Sequence, residues 1–599
     1  MVARINLLGS PSVERAGLPV APPRGSKAWA LLAYLALTPG AVPRSRLMDL
    51  LFEEAEDPAA ALRWSLSQVR RALAGAAEVS GDPLRFAPNP GTLVDVDVVA
   101  HGSWVEALRL PGFGGGLLEG VSPRVGPAFE LWLSTERRRV AGQTTAIWQE
   151  AAHSRLARGD VAAAVDLAGR LVAADPLTER SHELLVRALV ARGDRAAALA
   201  RVHECRVLFA RELGIAPSPA LDDALRRRGV AAPPRTAAAV DAAIEGGAAA
   251  AHVGAYERAV ELLRSAVDGA RARDDAPLLA RSLGELGGVL VRGVRGSDEE
   301  AVSVLHEAVV LATDGGDRAV AARAGLEIGH VELLRAHYPR MEVWLERAAE
   351  LAGPDPRVLA WVGVYAGIGR TDQGDYPRAV ATLEGAADAA RSADDPRALA
   401  YALTAMGRLR LLRGELDEAG RSLDLACSTA DDLAWTSFLP FPRALRAELT
   451  MRRGDLAAAA DALDGSYALA CQVGDPCWES YSLRGRGLLA AATGDDALAL
   501  ELLIDAPAAC RRQRVTHNWV EGHCLDALCR FAVRRELAGA AGWVDELEEF
   551  ASRRGMRELV ARAALHRSDL GQAGAAELAA VLLAGLDNPA LAAAAGLPA

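Results

Sequence analysis

The 599 residues of this chain exceed what one hydrophobic core usually holds, so several domains are expected. A formal net charge of −11 excludes a protein that coats nucleic acid with a basic surface. Residues 1–95 nevertheless hold ten Arg/Lys and nine Asp/Glu, so the acidic excess lies behind them. We therefore expect any DNA contact to be confined to the amino-terminal part.

The sequence predicts a cytoplasmic protein without a membrane segment. Its seven cysteines form no Cys-x-x-Cys pair, and a scattered, odd-numbered set favours a reducing compartment over a disulfide framework. The first residues lack the charged start and apolar run of a signal peptide. The most apolar short runs, Ala28–Leu37 and Ala579–Leu586, are about half the length of a bilayer span.

The amino-terminal pattern predicts strands, three helices and a hairpin. The predicted elements are short strands within Val2–Leu8 and Leu18–Ala21, helices over Ser26–Leu37, Arg44–Phe52 and Ala60–Leu73, and a hairpin whose strands Leu84–Phe86 and Leu93–Val96 flank Asn89-Pro90-Gly91. This order is that of a winged helix-turn-helix, in which the third helix enters the major groove and the hairpin follows the backbone or minor groove.

The third predicted helix is amphipathic. Its apolar positions recur at helical spacing and should face a core: Leu62, Leu66, Val69 and Leu73. Its opposite face should carry groups that reach base edges and phosphates: Trp64, Ser67, Gln68 and Arg71, flanked by Arg63 and Arg70. Taken alone, this pattern also fits an ordinary surface helix, and the neighbouring segments favour the DNA-binding interpretation.

The segment from Ile5 to Asp97 resembles the DNA-binding domain of the Streptomyces antibiotic regulatory protein family. The shared features are Leu-Leu-Gly at Leu7, the Lys27-Ala-Trp-Ala-Leu-Leu helix, Val42-Pro-Arg-Ser-Arg-Leu, and the register Leu62-Arg63, Leu66-Ser67 and Val69-Arg70-Arg71. Two positions depart from the family pattern, because Trp64 replaces the usual glutamine and Gln68 the usual arginine. The DNA target of relatives therefore does not transfer to this chain.

The winged-helix interpretation assigns roles to individual residues. Arg63, Ser67, Gln68, Arg70 and Arg71 are expected to contact DNA from the helix, with Trp64 as a base or sugar contact. Arg85 and Asn89 are expected wing contacts. Lys27 and Arg44, at helix starts, are expected to hold phosphates.

A repeat follows the winged helix. Gly159-Asp160 recurs as Gly193-Asp194, 34 residues later, which is the period of a tetratricopeptide unit. With Phe129-Glu-Leu-Trp and Leu213-Gly-Ile-Ala-Pro, this region resembles the bacterial transcriptional activator domain that follows the winged helix in the same family. The resemblance implies an activator that binds direct repeats in double-stranded promoter DNA, contacts RNA polymerase and assembles side by side with other copies.

A longer period marks the carboxyl-terminal part. Gly374, Gly414, Gly454 and Gly494 each begin a similar turn and are spaced by 40 residues, while Gly254 lies 120 residues before Gly374. This spacing predicts a right-handed tetratricopeptide-like superhelix whose concave face binds a protein or small molecule. The predicted fold is mainly α, with an α+β winged helix before all-α repeats. The expected domains are 1–97 (winged helix), 98–228 (activator domain), 229–240 (linker) and 241–599 (superhelix).

Motifs of common enzymes are not found, and we expect no catalysis, cofactor or metal. The only lysine, Lys27, lacks the context of a phosphate-binding loop, and the His-Glu pairs lack the second histidine of a zinc protease. Two weaker alternatives concern metal or redox sensing and a groove for an apolar ligand or peptide. The first would use Cys510, His517, His523, Cys524 and Cys529; the second would use Trp344, Trp361, Trp435, Trp478, Trp519 and Trp543.

The leading hypothesis is therefore a sequence-specific transcriptional activator whose repeats sense a signal or recruit a partner. The competing hypothesis is a repeat-protein adaptor or scaffold whose winged helix makes protein contacts. Counterion release distinguishes them, because specific DNA binding weakens steeply with salt.

Overall fold

The computed structural model describes residues 3–226, 233–294, 296–512 and 517–596. These residues form two compact units, the first within Met1–Thr144, Asp372–Tyr376 and Gly522–Ala599, the second within Thr145–Thr371 and Pro377–Glu521. Residues 229–232 of the predicted linker lie outside the described residues, and residues 237–240 already form the start of a helix. No helix in the described part of the chain is long and apolar enough to cross a membrane.

The first unit begins with a winged helix. Its elements are β1 (Ala3–Asn6), β2 (Ser12–Arg15), β3 (Leu18–Pro19), α1 (Ser26–Leu37), α2 (Arg44–Phe52), α3 (Pro58–Leu73), β4 (Ala77–Ser80), β5 (Arg85–Pro88) and β6 (Thr92–Val94). One sheet has the order β3-β2-β1-β6, in which β1 is antiparallel to β2 and parallel to β6, and β4 pairs with β5 in a second sheet. The predicted bounds of α1 and α2 are confirmed.

The predicted position of the hairpin is wrong. The hairpin joins β4 to β5 around Gly81, and Ser80 pairs with Arg85 next to the turn. Asn89-Pro90-Gly91 instead connects the hairpin to β6, which pairs with β1. Alternate residues of β4 are buried, which is the pattern of a half-buried strand. Val42 also pairs with Leu84, and this contact between residues far apart in sequence fixes the sheet.

The rest of the chain is helical. The helices before the repeats are α4 (Asp95–His101), α5 (Trp104–Ala107), α6 (Pro127–Ala157), α7 (Val161–Ala174), α8 (Glu179–Ala191), α9 (Arg195–Glu212) and α10 (Pro219–Asp223). The repeats are helix pairs, each a helix A followed by a helix B: α11 (Ala237–His252) and α12 (Tyr256–Ala272), α13 (Ala276–Gly293) and α14 (Asp298–Asp314), α15 (Arg318–Leu334) and α16 (Tyr338–Ala352), α17 (Pro356–Asp372) and α18 (Tyr376–Ser392), α19 (Pro396–Arg413) and α20 (Leu416–Asp432), α21 (Pro440–Arg452) and α22 (Leu456–Val473), α23 (Pro476–Thr493) and α24 (Asp496–Cys510), α25 (Asn518–Arg534) and α26 (Ala540–Arg554), and α27 (Arg557–Asp569) and α28 (Ala575–Leu583), with α29 (Pro589–Ala594) at the end. The chain is thus mainly α, with tetratricopeptide-like repeats, as predicted.

The Gly-Asp steps seen in the sequence form the turns between helices. Gly454 follows α21 in a left-handed conformation (φ 91°), and the side chain of Asp455 accepts a hydrogen bond from the backbone N–H of Ala458 at the start of α22. Asp160 caps α7 in the same way. Glycine adopts this conformation without strain and aspartate is a preferred helix cap, so the two residues end one helix and begin the next.

A second pattern sets how closely helices A and B approach in the second unit. Glycines of six A helices face leucines of the following B helices, and a Cβ atom on any of these glycines would lie 2.4–2.8 Å from the leucine side chain. The pairs are Gly247 with Leu263, Gly287 with Leu305, Gly329 with Leu345, Gly367 with Leu383, Gly407 with Leu423, and Gly487 with Leu503. Each of these leucines is at most 2% exposed. The A helix therefore lacks a side chain where the B helix inserts one.

In the first unit, the last repeat helices pack on the start of α6. A Cβ atom at Gly142 would lie 2.1 Å from the backbone oxygen of Arg553, so the two backbones are in direct contact. Arg138 of α6 donates a hydrogen bond of 3.1 Å to Glu548 of α26. The same part of α6 packs on the winged helix, since Trp132 lies 4.7 Å from Tyr34 of α1 between ring centroids. The carboxyl-terminal helices thus belong to the core that carries the winged helix.

A buried ionic cluster joins α6 to α14 and to the end of α15 in the second unit. Arg335 donates hydrogen bonds to Asp298 (2.8 Å) and Glu299 (2.5 Å). His153 of α6 lies 3.0 Å from the other oxygen of Glu299, and Gln149 donates to Glu299 as well. Burial raises the pKa of Glu299, but the opposing effect of Arg335 and His153 is larger and holds that pKa below its usual range. These charges stay buried because each has a partner.

Substitution of Gly407 tests the close contact between helices A and B. Gly407→Ala should lower the free energy of unfolding by about 1–2 kcal/mol, because overpacking against Leu423 outweighs the higher helix propensity of alanine. The matched control is Gly465→Ala on α22, where nothing lies within 4 Å of the added Cβ and stability should rise by about 1 kcal/mol. Urea denaturation followed by circular dichroism measures both. An equal stabilisation by the two substitutions would contradict the packing argument.

Glu183 of α8 predicts a pH dependence of stability. Burial raises the pKa of Glu183 to about 8, with Arg187 opposing the shift. Because this value lies above that of an unfolded glutamate, the stabilisation is complete below the unfolded pKa and is lost as the pH rises towards 8. Between pH 5 and 8 the wild type should lose about 3–4 kcal/mol more unfolding free energy than Glu183→Gln. Urea denaturation at fixed pH measures this difference; the exposed control Glu384→Gln should follow the wild type. Parallel curves for wild type and Glu183→Gln would refute the prediction.

Candidate nucleic-acid interface and repeat groove

Helix α3 is held by its apolar face. Leu62, Leu66, Val69 and Leu73 are each at most 2% exposed, so the predicted stripe faces the core. The helix begins at Pro58, two residues before the predicted start, because Asp57 accepts a hydrogen bond of 2.8 Å from the backbone N–H of Ala60. Proline at the first position of a helix and aspartate as its cap are both favourable.

The outer face of α3 exposes five of the six predicted DNA-contacting side chains: Arg63, Trp64, Ser67, Arg70 and Arg71. Trp64 is half exposed, and its ring lies against the loop at Gly25. The Ser67 hydroxyl donates to the backbone oxygen of Trp64. Arg63 lies 4.0 Å from Asp57, which leaves its guanidinium mostly free in solvent.

Gln68 lies on the buried side of α3 and not on its open face. The residue is 7% exposed, and its side-chain oxygen accepts a hydrogen bond from the Arg71 guanidinium. Gln68 is therefore placed to orient Arg71. It lies beside Ser65, also buried, so the inward face of α3 is wider than its apolar stripe.

Three of the predicted cations hold neighbouring backbone in place. The Lys27 ammonium donates a hydrogen bond of 2.7 Å to the backbone oxygen of Leu51 at the end of α2. The Nε–H group of Arg70 donates a hydrogen bond of 2.8 Å to the backbone oxygen of Val79 in β4. Arg44 donates 3.4 Å to Gly81 in the hairpin turn and lies 3.5 Å from the Asp82 carboxylate. These contacts brace α2, α3 and the wing against each other.

The two predicted wing residues lie at opposite ends of the hairpin. Arg85 is exposed at the start of β5, beside the turn at Gly81. Asn89 is exposed after the end of β5, and its backbone N–H donates to the oxygen of Ala76. The wing thus presents Arg85 near its tip and Asn89 near its base.

The second unit holds a cavity of about 620 Å³ lined mainly by A helices. Trp361, Trp435 and Trp478 are among the lining residues, whereas Trp344 and Trp519 are buried and do not line it. Trp543 lies on α26 in the first unit. Helical spacing alone does not separate the three lining tryptophans from those in the core. The spacing of 40 residues between Trp361 and Tyr401, which also lines the cavity, is a signal that could have done so.

The proposed soft metal ligands have the environment of core residues. Cys510, Cys524 and Cys529 are buried, and burial raises the pKa of the Cys529 thiol. In residues 3–226, 233–294, 296–512 and 517–596, no three His, Cys, Asp or Glu side chains are grouped as metal ligands.

Residues 99–227 match the family profile of the bacterial transcriptional activator domain. No curated protein sequence matches the chain.

Several solved structures are similar to parts of the chain. Mycobacterium tuberculosis EmbR in complex with a low affinity phosphopeptide is 20% identical over 38% of this chain, with a TM-score of 0.31. The match spans 64% of EmbR, less than two thirds of its length. A Rap protein complexed with competence and sporulation factor is 12% identical over 60% of this chain and 99% of its own, with a TM-score of 0.44. Aspartyl phosphate phosphatase F from Bacillus subtilis is 11% identical over 68% of this chain and 93% of its own, with a TM-score of 0.37.

Proposed function

We propose that this chain is a transcriptional activator of the Streptomyces antibiotic regulatory protein type. It would bind promoter DNA sequence-specifically in the cytoplasm, as a regulator and not as an enzyme. The match of residues 99–227 to a bacterial transcriptional activator domain is the observation that carries the proposal. This domain follows a winged helix whose third helix buries its apolar stripe and leaves an aromatic ring, a hydroxyl and guanidinium groups open to solvent.

The proposed DNA contacts fall into two groups, those to base edges and those to the DNA backbone. Arg63, Ser67 and Arg71 would reach base edges from the open face of α3, with Gln68 holding Arg71 from behind. Trp64 would contact a base or sugar from the same face. Such contacts determine sequence preference, because the donor and acceptor pattern of the major groove differs between base pairs.

The remaining predicted residues would act on the DNA backbone. Arg85 and Asn89 would contact it from the wing, while Lys27, Arg44 and Arg70 would combine bracing of the fold with phosphate contacts. A guanidinium has five N–H donors, so Arg44 and Arg70 can bond to a backbone carbonyl and a phosphate together.

We further propose that the activator domain supports side-by-side binding of several copies to direct repeats and contact with RNA polymerase. The repeats would sense a ligand or bind a partner. The near-neutral charge of residues 1–95 supports assembly, since one winged helix brings few cations to the DNA.

Arginine substitutions on α3 test the DNA-binding proposal. DNA should first be selected from random sequence with the full chain, because residues 522–599 belong to the unit that carries the winged helix. Arg63→Ala and Arg71→Ala should each weaken binding to the selected site by about 1–3 kcal/mol and relax preference at one base position. Arg85→Ala should weaken all sequences alike and reduce the dependence on salt.

The matched control is Arg421→Ala, an exposed arginine on α20, which should leave binding unchanged. Fluorescence anisotropy at several salt concentrations measures these effects. If Arg63→Ala and Arg71→Ala left both affinity and salt dependence unchanged, the assignment of α3 would be wrong. If the full chain selected no sequence and its weak binding did not respond to salt, the adaptor hypothesis would replace this one.

A further inference from the structure

The cavity of the second unit has the size of a small-molecule site. Its volume of about 620 Å³ lies in the range of pockets for drug-sized ligands, which a folded protein partner would not enter. The A helices line it, so the side chains at one helical position of successive repeats form a row along its wall.

One such row changes from cationic to aromatic. The sixth residue of α13 is Arg281, and that of α15 is Arg323; the sixth residue of α17 is Trp361, and that of α19 is Tyr401. All four residues line the cavity. The cavity wall therefore combines cationic and aromatic side chains.

The aromatic residues of the cavity wall form a set of rings in contact. Trp361 lies 5.7 Å from Tyr401 and 5.6 Å from Tyr365 between ring centroids. Tyr365 in turn stacks on His330 at 4.2 Å, with the ring planes 7° apart. The indole N–H of Trp361 donates 3.1 Å to Asp395, which fixes the orientation of the ring. Rings held in this way favour a flat conjugated ligand over a flexible aliphatic one.

The cavity wall has cations without carboxylate partners. Among the described residues, Arg323 on α15, Arg357 on α17 and Arg397 on α19 form no ion pair, and Arg397 lies over the Trp435 ring. Arg281 on α13 is paired with Asp241.

By contrast, two carboxylates of the cavity wall already have partners. Glu327 is paired with Arg292. Asp395 accepts hydrogen bonds from the indole N–H of Trp361 and from the backbone N–H of Ala398 in the first turn of α19. Of the other two carboxylates in the wall, Asp475 accepts a hydrogen bond at the start of α23, so the three guanidinium groups still outnumber the carboxylates left to balance them, of which Glu285 is one. A ligand carboxylate or sulfonate would pair with these guanidinium groups.

A buried polar group in the wall is incomplete. His330 is 8% exposed, and its Nδ1 atom has no hydrogen-bond partner. Glu327 Oε2 lies 3.9 Å from this atom, which is within ion-pair distance but too far for a hydrogen bond. The cavity wall therefore has a polar patch beside Tyr365, on which His330 stacks.

We propose that this cavity binds a small molecule with a flat conjugated ring system and one acidic group. The rings would stack on Trp361 and Tyr401, and the acid would pair with Arg323 and Arg357. The inference deepens the sensing role proposed for the repeats. The small molecule would bind in the absence of DNA, so this inference and the proposed DNA-binding function can be tested separately.

Two fluorescent probes test the proposal on the full chain. 1-Anilinonaphthalene-8-sulfonate has the required rings and acid, whereas N-phenyl-1-naphthylamine has the same rings without the acid. One equivalent of the sulfonate should bind per chain with a micromolar dissociation constant, at least about tenfold more tightly than the neutral probe. Fluorescence titration, with energy transfer from tryptophan, measures both constants.

Substitutions locate the site and distinguish its arginine contacts from its aromatic contacts. Arg323→Met with Arg357→Met should weaken the sulfonate about tenfold and leave the neutral probe unchanged, since both side chains are exposed and without ion-pair partners among the described residues. Trp361→Leu should weaken both probes, provided that near-UV circular dichroism remains native. The control Arg391→Met, on the exposed side of α18, should change neither constant.

Equal affinity for the two probes, several equivalents of bound sulfonate, or no effect of the double arginine substitution would overturn the proposal. Naphthalene-1-sulfonate should displace the bound probe; displacement only by a mixture of random pentapeptides would assign the cavity to peptides instead. Loss of probe binding with intact DNA binding would refute this inference alone, and the reverse result would refute the proposed DNA-binding function alone.

Discussion

The architecture of the repeat unit depends on one contact, a glycine of helix A against a leucine of helix B. At Gly287 and Gly407 no side chain separates the helices, and the leucine fills the space. A larger residue on helix A would push the pair apart, and the displacement would be passed to the next pair because each pair packs only on its neighbours. The glycine thus fixes the distance between helices A and B of a pair, and the A helices positioned in this way line the cavity.

This division of labour leaves the cavity-facing positions free to differ. The glycine, the buried leucine and the capped turn recur along the chain, whereas the sixth residue of successive A helices is Arg281, Arg323, Trp361 and Tyr401. Constant packing on one side of a helix and varied chemistry on the other allow one scaffold to line a cavity with both cationic and aromatic side chains. The cavity is therefore a property of the row of repeats and not of any single repeat.

Features governed by local rules could be predicted from the sequence, and those governed by distant partners could not. The bounds of α1 and α2 and the Gly-Asp turns follow from residues within one helical turn. The wing was misplaced because Asn89-Pro90-Gly91 is a good turn in isolation, while the pairing of Val42 with Leu84 decides which strands meet. The ionic cluster was missed because His153 and Glu299 are 146 residues apart.

The candidate DNA interface shows the same limit at a finer scale. Hydrophobic spacing placed the apolar stripe of α3 correctly, but it treated polar residues as exposed, and Gln68 is buried beneath Arg71. Lys27, Arg44 and Arg70 each also bond to a backbone carbonyl, so part of the positive charge near α3 stabilises the fold itself. Residues 1–95 are nearly neutral, so few cations of this part of the chain remain free of structural contacts. The side chains without a structural role are instead concentrated on the open face of α3, where burial of the apolar stripe leaves Arg63 and Trp64 in solvent.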